Sequence, residues 1–146
     1  MARLDTKLES EGAEFLVLGQ LLIEGIASYK TYQNFAGYDI VSTNPDKGKS
    51  IRIQVKSRYT SSWDGFIINN FDCDFIVLVA LNRGFKTIKK NGDHGIRQPD
   101  YYIFPISYIL QIKDKNNTWG KIPKGKMENY QHYLNRWDLI KKKLRY

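Results

Sequence analysis

A single cysteine, Cys73, stands in a chain of 146 residues. That excludes an intramolecular disulfide and any metal site built from several thiolates. Histidine is nearly as scarce: His94 and His132 lie far apart with no accompanying acid or cysteine pattern, and both read as surface residues. No HExxH zinc motif, GxSxG elbow, glycine-rich phosphate loop or internal repeat is present. No apolar run reaches the roughly 18 residues that a membrane-spanning helix needs. The opening stretch, MARLDTKLESEG, is charged and runs into a helical pattern, which is not the layout of a secretory signal. These absences leave a soluble, cytoplasmic protein as the expectation. The length is that of one domain, spanning residues 1–146.

Acids are the other shortage. There are 15 Asp plus Glu against 23 Lys plus Arg, a net charge of +8. Residues 1–112 hold 13 bases and 12 acids, whereas residues 113–146 hold 10 bases and 3 acids. The excess charge therefore sits in a C-terminal part, which reads as a basic linker and helix attached to a core of about residues 5–112. Such a patch attracts polyanions; nucleic acid is the first partner to consider and an anionic membrane surface the second. With ten tyrosines among 14% aromatic residues, some rings are expected at the surface, where they can stack or hydrogen-bond.

Along the chain, Thr6-Lys7-Leu8-Glu9 has capping-box form. A helix is expected from there to about Tyr29, with Leu8, Phe15, Leu18, Leu22 and Ile26 as its inner stripe, widened by Val17, Leu21 and Ile23. Residues 28–35 read as a first strand and residues 39–43 as a second. Residues 59–64 form a polar loop in which Trp63 is either a stacking surface or a buried anchor. The run Phe75-Ile-Val-Leu-Val-Ala-Leu81 predicts a central strand covered on both faces. Residues 83–99 read as a hairpin or extended loop, 100–105 as a strand and 106–113 as a short helix. An open lysine-rich linker over 114–125 then leads to a terminal helix over 127–144. Its inner face is Tyr130, Tyr133, Leu134, Trp137, Ile140 and Leu144. Those aromatics suit packing against the domain, which argues against a membrane role.

The most informative stretch is Gly37 to Arg58. Pro45, Asp46 and Gly48 supply a turn between two strands. After it, Ile51, Ile53 and Val55 alternate with Arg52, Gln54, Lys56 and Arg58, so one face is aliphatic and the other polar. Closing the turn brings Asp39 onto the strand beside Gln54 and Lys56. Glu14, at the edge of the helix's apolar zone, needs a partner for its charge. It either faces this cation-bearing surface or pairs with Lys7 or a nearby base at the surface. Glu11, one turn earlier, competes for the same role.

Asp39, Gln54-Val55-Lys56 and an upstream helix glutamate resemble the active site of the PD-(D/E)XK nucleases, the restriction-endonuclease-like superfamily. Glutamine stands here where the pattern usually has Asp or Glu, a variant similar to that of certain homing endonucleases. The resemblance covers residues 8–105, and its specific part is three or four positions. It implies an α/β fold, a mixed β-sheet flanked by helices in αβββαβ order. It implies a Mg²⁺-dependent endonuclease acting on DNA in restriction, homing or repair, with Mn²⁺ as a substitute ion and RNA as an open alternative substrate. Asp39, Gln54, Glu14 and the Val55 carbonyl would hold the metal, and Lys56 would stand at the scissile phosphate. A homodimer or homotetramer would be needed to cut both strands. Glutamine also leaves a second reading open, a nuclease-like module that binds nucleic acid without cutting it.

Overall fold

The computed structural model describes residues 6–31, 37–113 and 120–146. In chain order the elements are α1 (Thr6–Ile23), β1 (Ala27–Lys30), β2 (Ile40–Asn44), β3 (Lys49–Arg58), β4 (Gly65–Ile67), β5 (Phe75–Ala80), β6 (Asp100–Pro105), α2 (Ile106–Ile112), β7 (Lys121–Pro123) and α3 (Asp138–Lys143). Five strands form one mixed sheet in the order β1-β2-β3-β5-β6. Its β3–β5 pair is parallel and the other pairs are antiparallel. The β3-to-β5 crossover carries β4 rather than a helix, and β4 pairs with β7 in a separate ribbon. A helix-flanked mixed sheet is the expected fold class.

The six residues of β5 are all buried, as their unbroken apolar run requires. Their alternation defines two cores. Phe75, Val77 and Val79 join Ala13, Val17 and Leu21 of α1 with Trp137, Ile140 and Leu144. Ile76, Leu78 and Ala80 join Trp63, Phe66, Phe104, Ile109 and Met127 on the other face. Phe104 is fully buried there, with ring centroids 5.2 Å from Tyr108 and 5.5 Å from Tyr133. Aromatic contacts of this kind add about 0.5–1.5 kcal/mol each beyond the area buried.

Several expectations need correction. Helix α1 ends at Ile23, and Tyr29 lies in β1. Gly25, at φ +81°, closes the helix, with Gly25 N donating to Leu22 O and Ile26 N to Leu21 O. The inner stripe is Glu9, Ala13, Val17 and Leu21. Leu8, Phe15, Leu22 and Ile23 are exposed, at 64%, 50%, 52% and 80%. The sheet beneath α1 is already filled by Ile51, Ile53 and Val77, so the helix lies on its smaller side chains. The first strand is shorter than expected, and residues 32–36 fall outside the described set, as do residues 114–119 of the expected linker. The rest of that linker contains β7.

The expected terminal helix over 127–144 is a 3-10 turn at Tyr130–Tyr133 followed by α3. Asn129 and Asn135 have φ of +57° and +54°, which a continuous helix does not allow. The break has a purpose in packing. Tyr130 and Tyr133 lie against one core, Trp137 and Ile140 lie in the other, and a bridge from Leu134 to Tyr102 carries the segment around the β6 edge. Leu134 is 37% exposed there rather than part of an inner face. Trp63 is 4% exposed and packed between Tyr102 and Tyr130, so it is the loop's anchor.

Candidate active site

Asp39 is the residue just before β2. Its backbone N–H donates to Ile53 O at 2.8 Å and its carbonyl accepts from Thr31 N at 2.9 Å. One step further the ladder changes: Val55 N donates to Asp39 Oδ2 at 2.8 Å. A carboxylate thus takes the place of a backbone carbonyl, and β2 parts from β3. From Ile53 to Arg58, β3 keeps β5 beside it. Successive peptide groups of a strand alternate in direction, so the Val55 carbonyl points to the same edge as its amide. Gly37, at φ +90°, lets the chain make this departure. A Cβ there would lie 2.5 Å from Asn70 Oδ1 and 2.9 Å from the Asp72 carbonyl.

Gln54 and Lys56 share a face of β3, paired with Ile76 and Leu78 of β5. Gln54 is buried, and its Nε2 donates to Gly37 O and to Asn70 O, each at 2.9 Å. Two carbonyl acceptors around one atom fix the amide's orientation, because only its nitrogen end donates. The Oε1 end is the one left for a ligand. Lys56 is half-buried; burial draws its ammonium below the ordinary lysine value, and the nearby Asp39 charge opposes that. Burial pushes the Asp39 carboxyl above its ordinary value, against the Val55 hydrogen bond and the charges of Lys56 and Lys30. Asp39 and Lys56 are therefore electrostatic partners held off water together.

Glu14 reaches the same edge from α1. Burial raises its carboxyl first and the Asp39 charge second, with Lys30 pulling the other way. Lys30 Nζ lies 2.7 Å from Glu11 Oε1 and 3.6 Å from Glu14 Oε1, its side chain only 5% exposed. The Glu14 side chain is 16% exposed and that of Glu11 52%. Glu14 is thus the inner acid and Glu11 the outer one, with Lys30 bridging them. Alongside lies a pocket of about 230 Å³ lined by Thr6, Glu9, Ser10, Ala13, Val55, Lys56 and Ser57. Glu9 Oε1 accepts from Ser57 Oγ at 3.1 Å, so the carboxylate expected in a capping box is turned onto the sheet.

The structure therefore gathers Asp39, Lys56, the Val55 backbone and Glu14 at one edge, with Gln54 buttressing the Gly37 bend beneath them. Sequence reading missed Lys30, Glu9 and Ser57. Pairing β1 with β2 would have found Lys30, since its register partner is Ile40, next to Asp39. Glu9 was hidden by the wrong phase of the helix stripe.

The acids and lysines here, Glu11, Glu14, Asp39, Lys30 and Lys56, sum to a formal charge of −1. Among the described residues no three His, Cys, Asp or Glu side chains group so as to hold a metal ion by themselves. Two inner carboxylates and a backbone carbonyl fit a hard cation that keeps several waters, the habit of Mg²⁺, and do not fit Zn²⁺.

No family model matches the chain, and no curated protein matches it. Among solved structures, that of a bacterial homing endonuclease, I-Ssp6803I, superposes with a TM-score of 0.60 at 19% identity. The match covers 97% of this chain and 94% of that one. It is a likeness of fold: this chain has the nuclease-like mixed α/β architecture of a homing endonuclease.

Proposed function

We propose that the chain is a metal-dependent endonuclease that hydrolyses phosphodiester bonds in DNA, with a PD-(D/E)XK-type site in its Gln-x-Lys form. The observation that carries this reading is the Asp39 carboxylate standing in for a strand carbonyl at Val55 N, beside Lys56. A surface hairpin has no reason to bury an acid, a lysine and a helix glutamate at one parted strand edge, since each costs free energy to desolvate. The fold shared with a homing endonuclease supports the reading.

Asp39, Glu14 and the Val55 carbonyl would hold Mg²⁺, or Mn²⁺ in its place, and Gln54 Oε1 would add a neutral oxygen. Bound there, the ion would supply a more acidic water and a counter-charge for phosphate oxygens. The chain's own part is positioning. Val55 N holds the Asp39 carboxylate in one orientation. Lys30 holds Glu14. Lys56, half-buried beside Asp39, presents a positive charge to the phosphate as negative charge builds on it. A homodimer or homotetramer would place one such site on each strand.

Lys56→Ala tests this. Mg²⁺-dependent nicking of supercoiled plasmid is expected to fall at least ~100-fold, the scale of one lost charge-stabilising group. DNA binding should persist. Undiminished nicking by the variant would remove Lys56 from the mechanism. One observation favours the non-cutting alternative: both Gln54 amide hydrogens serve the backbone. That alternative predicts DNA binding in EDTA and no cleavage of DNA or RNA with either ion.

A further inference from the structure

The segment between β5 and β6 has a shape and charge that the proposed site does not use. Arg83 bridges Ile96, Phe85 N donates to His94 O at 2.8 Å, and Lys89 N donates to Asp93 O at 3.2 Å. Gly92 N closes the tip on Lys89 O at 2.8 Å. This is an irregular two-stranded ribbon. Its root is fixed: Gly84 N donates to Ser61 Oγ at 3.2 Å, Ser61 Oγ donates to Gly95 O, and the Phe85 ring lies against Gly95. Beyond the root, every residue from Lys86 to His94 is exposed.

The ribbon leaves the sheet at the end where the proposed site lies. Strands β3 and β5 are parallel, so the C-terminal end of β5 is beside Arg58, two residues beyond Lys56. Leu81 N donates to Arg58 O and Arg83 N to Tyr59 O, each at 2.9 Å. Residues 83–97 hold five bases, Arg83, Lys86, Lys89, Lys90 and Arg97, and one acid, Asp93. The rest of residues 1–112 holds 8 bases and 11 acids, so this ribbon is a basic projection from an otherwise acidic body. Arg97 is tied to Asp100 at 3.3 Å. Among the described residues no carboxylate lies within ion-pair distance of Arg83, Lys86, Lys89 or Lys90.

We propose that the ribbon of residues 83–97 enters the major groove of duplex DNA whose backbone lies at the Asp39–Lys56 edge, with Lys86, Lys89 and Lys90 on flanking phosphates. The inference rests on the endonuclease reading for what lies at that edge. B-DNA's major groove, about 12 Å wide, admits a two-stranded ribbon. The deep, narrow groove of duplex RNA does not. Ile88, 54% exposed and the one apolar side chain of the tip, suits contact with a thymine methyl.

The test is Lys86→Ala/Lys89→Ala/Lys90→Ala in the full chain, with its melting temperature compared with the parent's to show that the fold is kept. Binding of a mixed-sequence DNA duplex is measured by fluorescence anisotropy between 50 and 200 mM salt, in EDTA. Each phosphate contact contributes ~0.9 to the log–log salt slope, so the slope should fall by about 2.7. Between the two salt concentrations the parent should then lose about 40-fold more affinity than the variant. An unchanged slope and affinity would overturn the proposal. So would an equal change in slope on duplex RNA, because groove entry would then not be what is read. Nicking keeps the two ideas apart. A parent that nicks while Lys56→Ala does not, together with an unchanged slope in the triple variant, sinks the ribbon alone. A parent that never nicks, with the slope change present, sinks the cutting reading alone.

Discussion

Gln54→Glu separates two lines of reasoning. The PD-(D/E)XK pattern that this stretch resembles has an acid at this position, and by that pattern alone restoring one strengthens metal binding. The structure predicts the opposite. Gln54 Nε2 donates to the carbonyls of Gly37 and Asn70, each at 2.9 Å, in a buried setting. A carboxylate has no hydrogen for either. Each carbonyl left without its donor costs ~1–3 kcal/mol, so the two together cost ~2–6 kcal/mol. With repulsion between the new charge and two carbonyl oxygens, the loss at pH 8 should be about 3–5 kcal/mol. That is a large share of the ~5–15 kcal/mol that holds a domain folded. At ~3 °C per kcal/mol for a chain of this size, the melting temperature should drop by roughly 10–15 °C.

The pH dependence checks the cause. Facing two carbonyls, the introduced carboxyl has a folded pKa above its unfolded value of about 4.3. Its electrostatic penalty is then absent below that value and grows as pH rises through the raised one. A protonated acid donates one hydrogen, so about half of the hydrogen-bond loss should remain at pH 4. Gln54→Leu, which cannot titrate, should lose both bonds at every pH. Because the Gly37 bend carries Asp39, Gln54→Glu should also lower nicking at saturating Mg²⁺. The assay is urea unfolding of the three proteins at pH 4 and pH 8. A Gln54→Glu protein as stable as the parent at pH 8 would refute the reasoning.

Asp39→Asn and Glu14→Gln should each abolish Mg²⁺-dependent nicking yet raise stability at pH 8. Both carboxyls sit above their ordinary values, chiefly through burial. The cost of keeping them ionised is absent below the ordinary carboxylate range and appears as pH rises through the raised values. The variants' advantage in urea midpoint should therefore vanish on titrating down to about pH 4; an advantage that grows as pH falls would contradict it. Trp63→Ala removes a fully packed ring beneath Lys124, whose Nζ lies 4.2 Å from the indole centroid. It should cost ~3–5 kcal/mol, read by urea unfolding, with the nicking rate of the folded fraction unchanged.

What the sequence made legible followed strict local rules. The apolar run of β5 and the alternation of β3 around the Pro45–Gly48 turn predict their strands directly, because burial on two faces or one leaves that pattern. That Asp39, Gln54 and Lys56 lie near one another is legible because a hairpin's register follows from its turn. What was not legible depended on contacts distant in sequence. Leu8, Phe15 and Leu22 make a better helical stripe on paper than Glu9, Ala13, Val17 and Leu21. The sheet, already filled by Ile51, Ile53 and Val77, selects the smaller set. Nothing local says that Glu9 will meet Ser57, 48 positions away. Residues 127–144 carry apolar side chains at helical spacing, yet they serve two cores on opposite sides of a sheet. No single helix could supply both, and the αL residues Asn129 and Asn135 are the local trace of that demand.

The same wrap bears on how the basic C-terminal part works. Ile140 and Leu144 are fully buried with α1, and Met127 is buried with Phe104. Lys141 pairs with Glu24 at 3.1 Å, and Lys124 lies over Trp63. Part of the +7 charge in residues 113–146 is therefore engaged by the fold, and the segment is built into the domain. The bases of residues 83–90, by contrast, have no carboxylate partner among the described residues and stand on a ribbon fixed at its root, Lys89 lying 4.7 Å from the centroid of that ribbon's own Phe85 ring. A cation already paired has less to gain from a phosphate than one facing water, because the pair must be broken first. Total charge thus directs attention to the C-terminus, whereas charge without a carboxylate partner, on a projection held at its root, directs it to the ribbon at the end of β5.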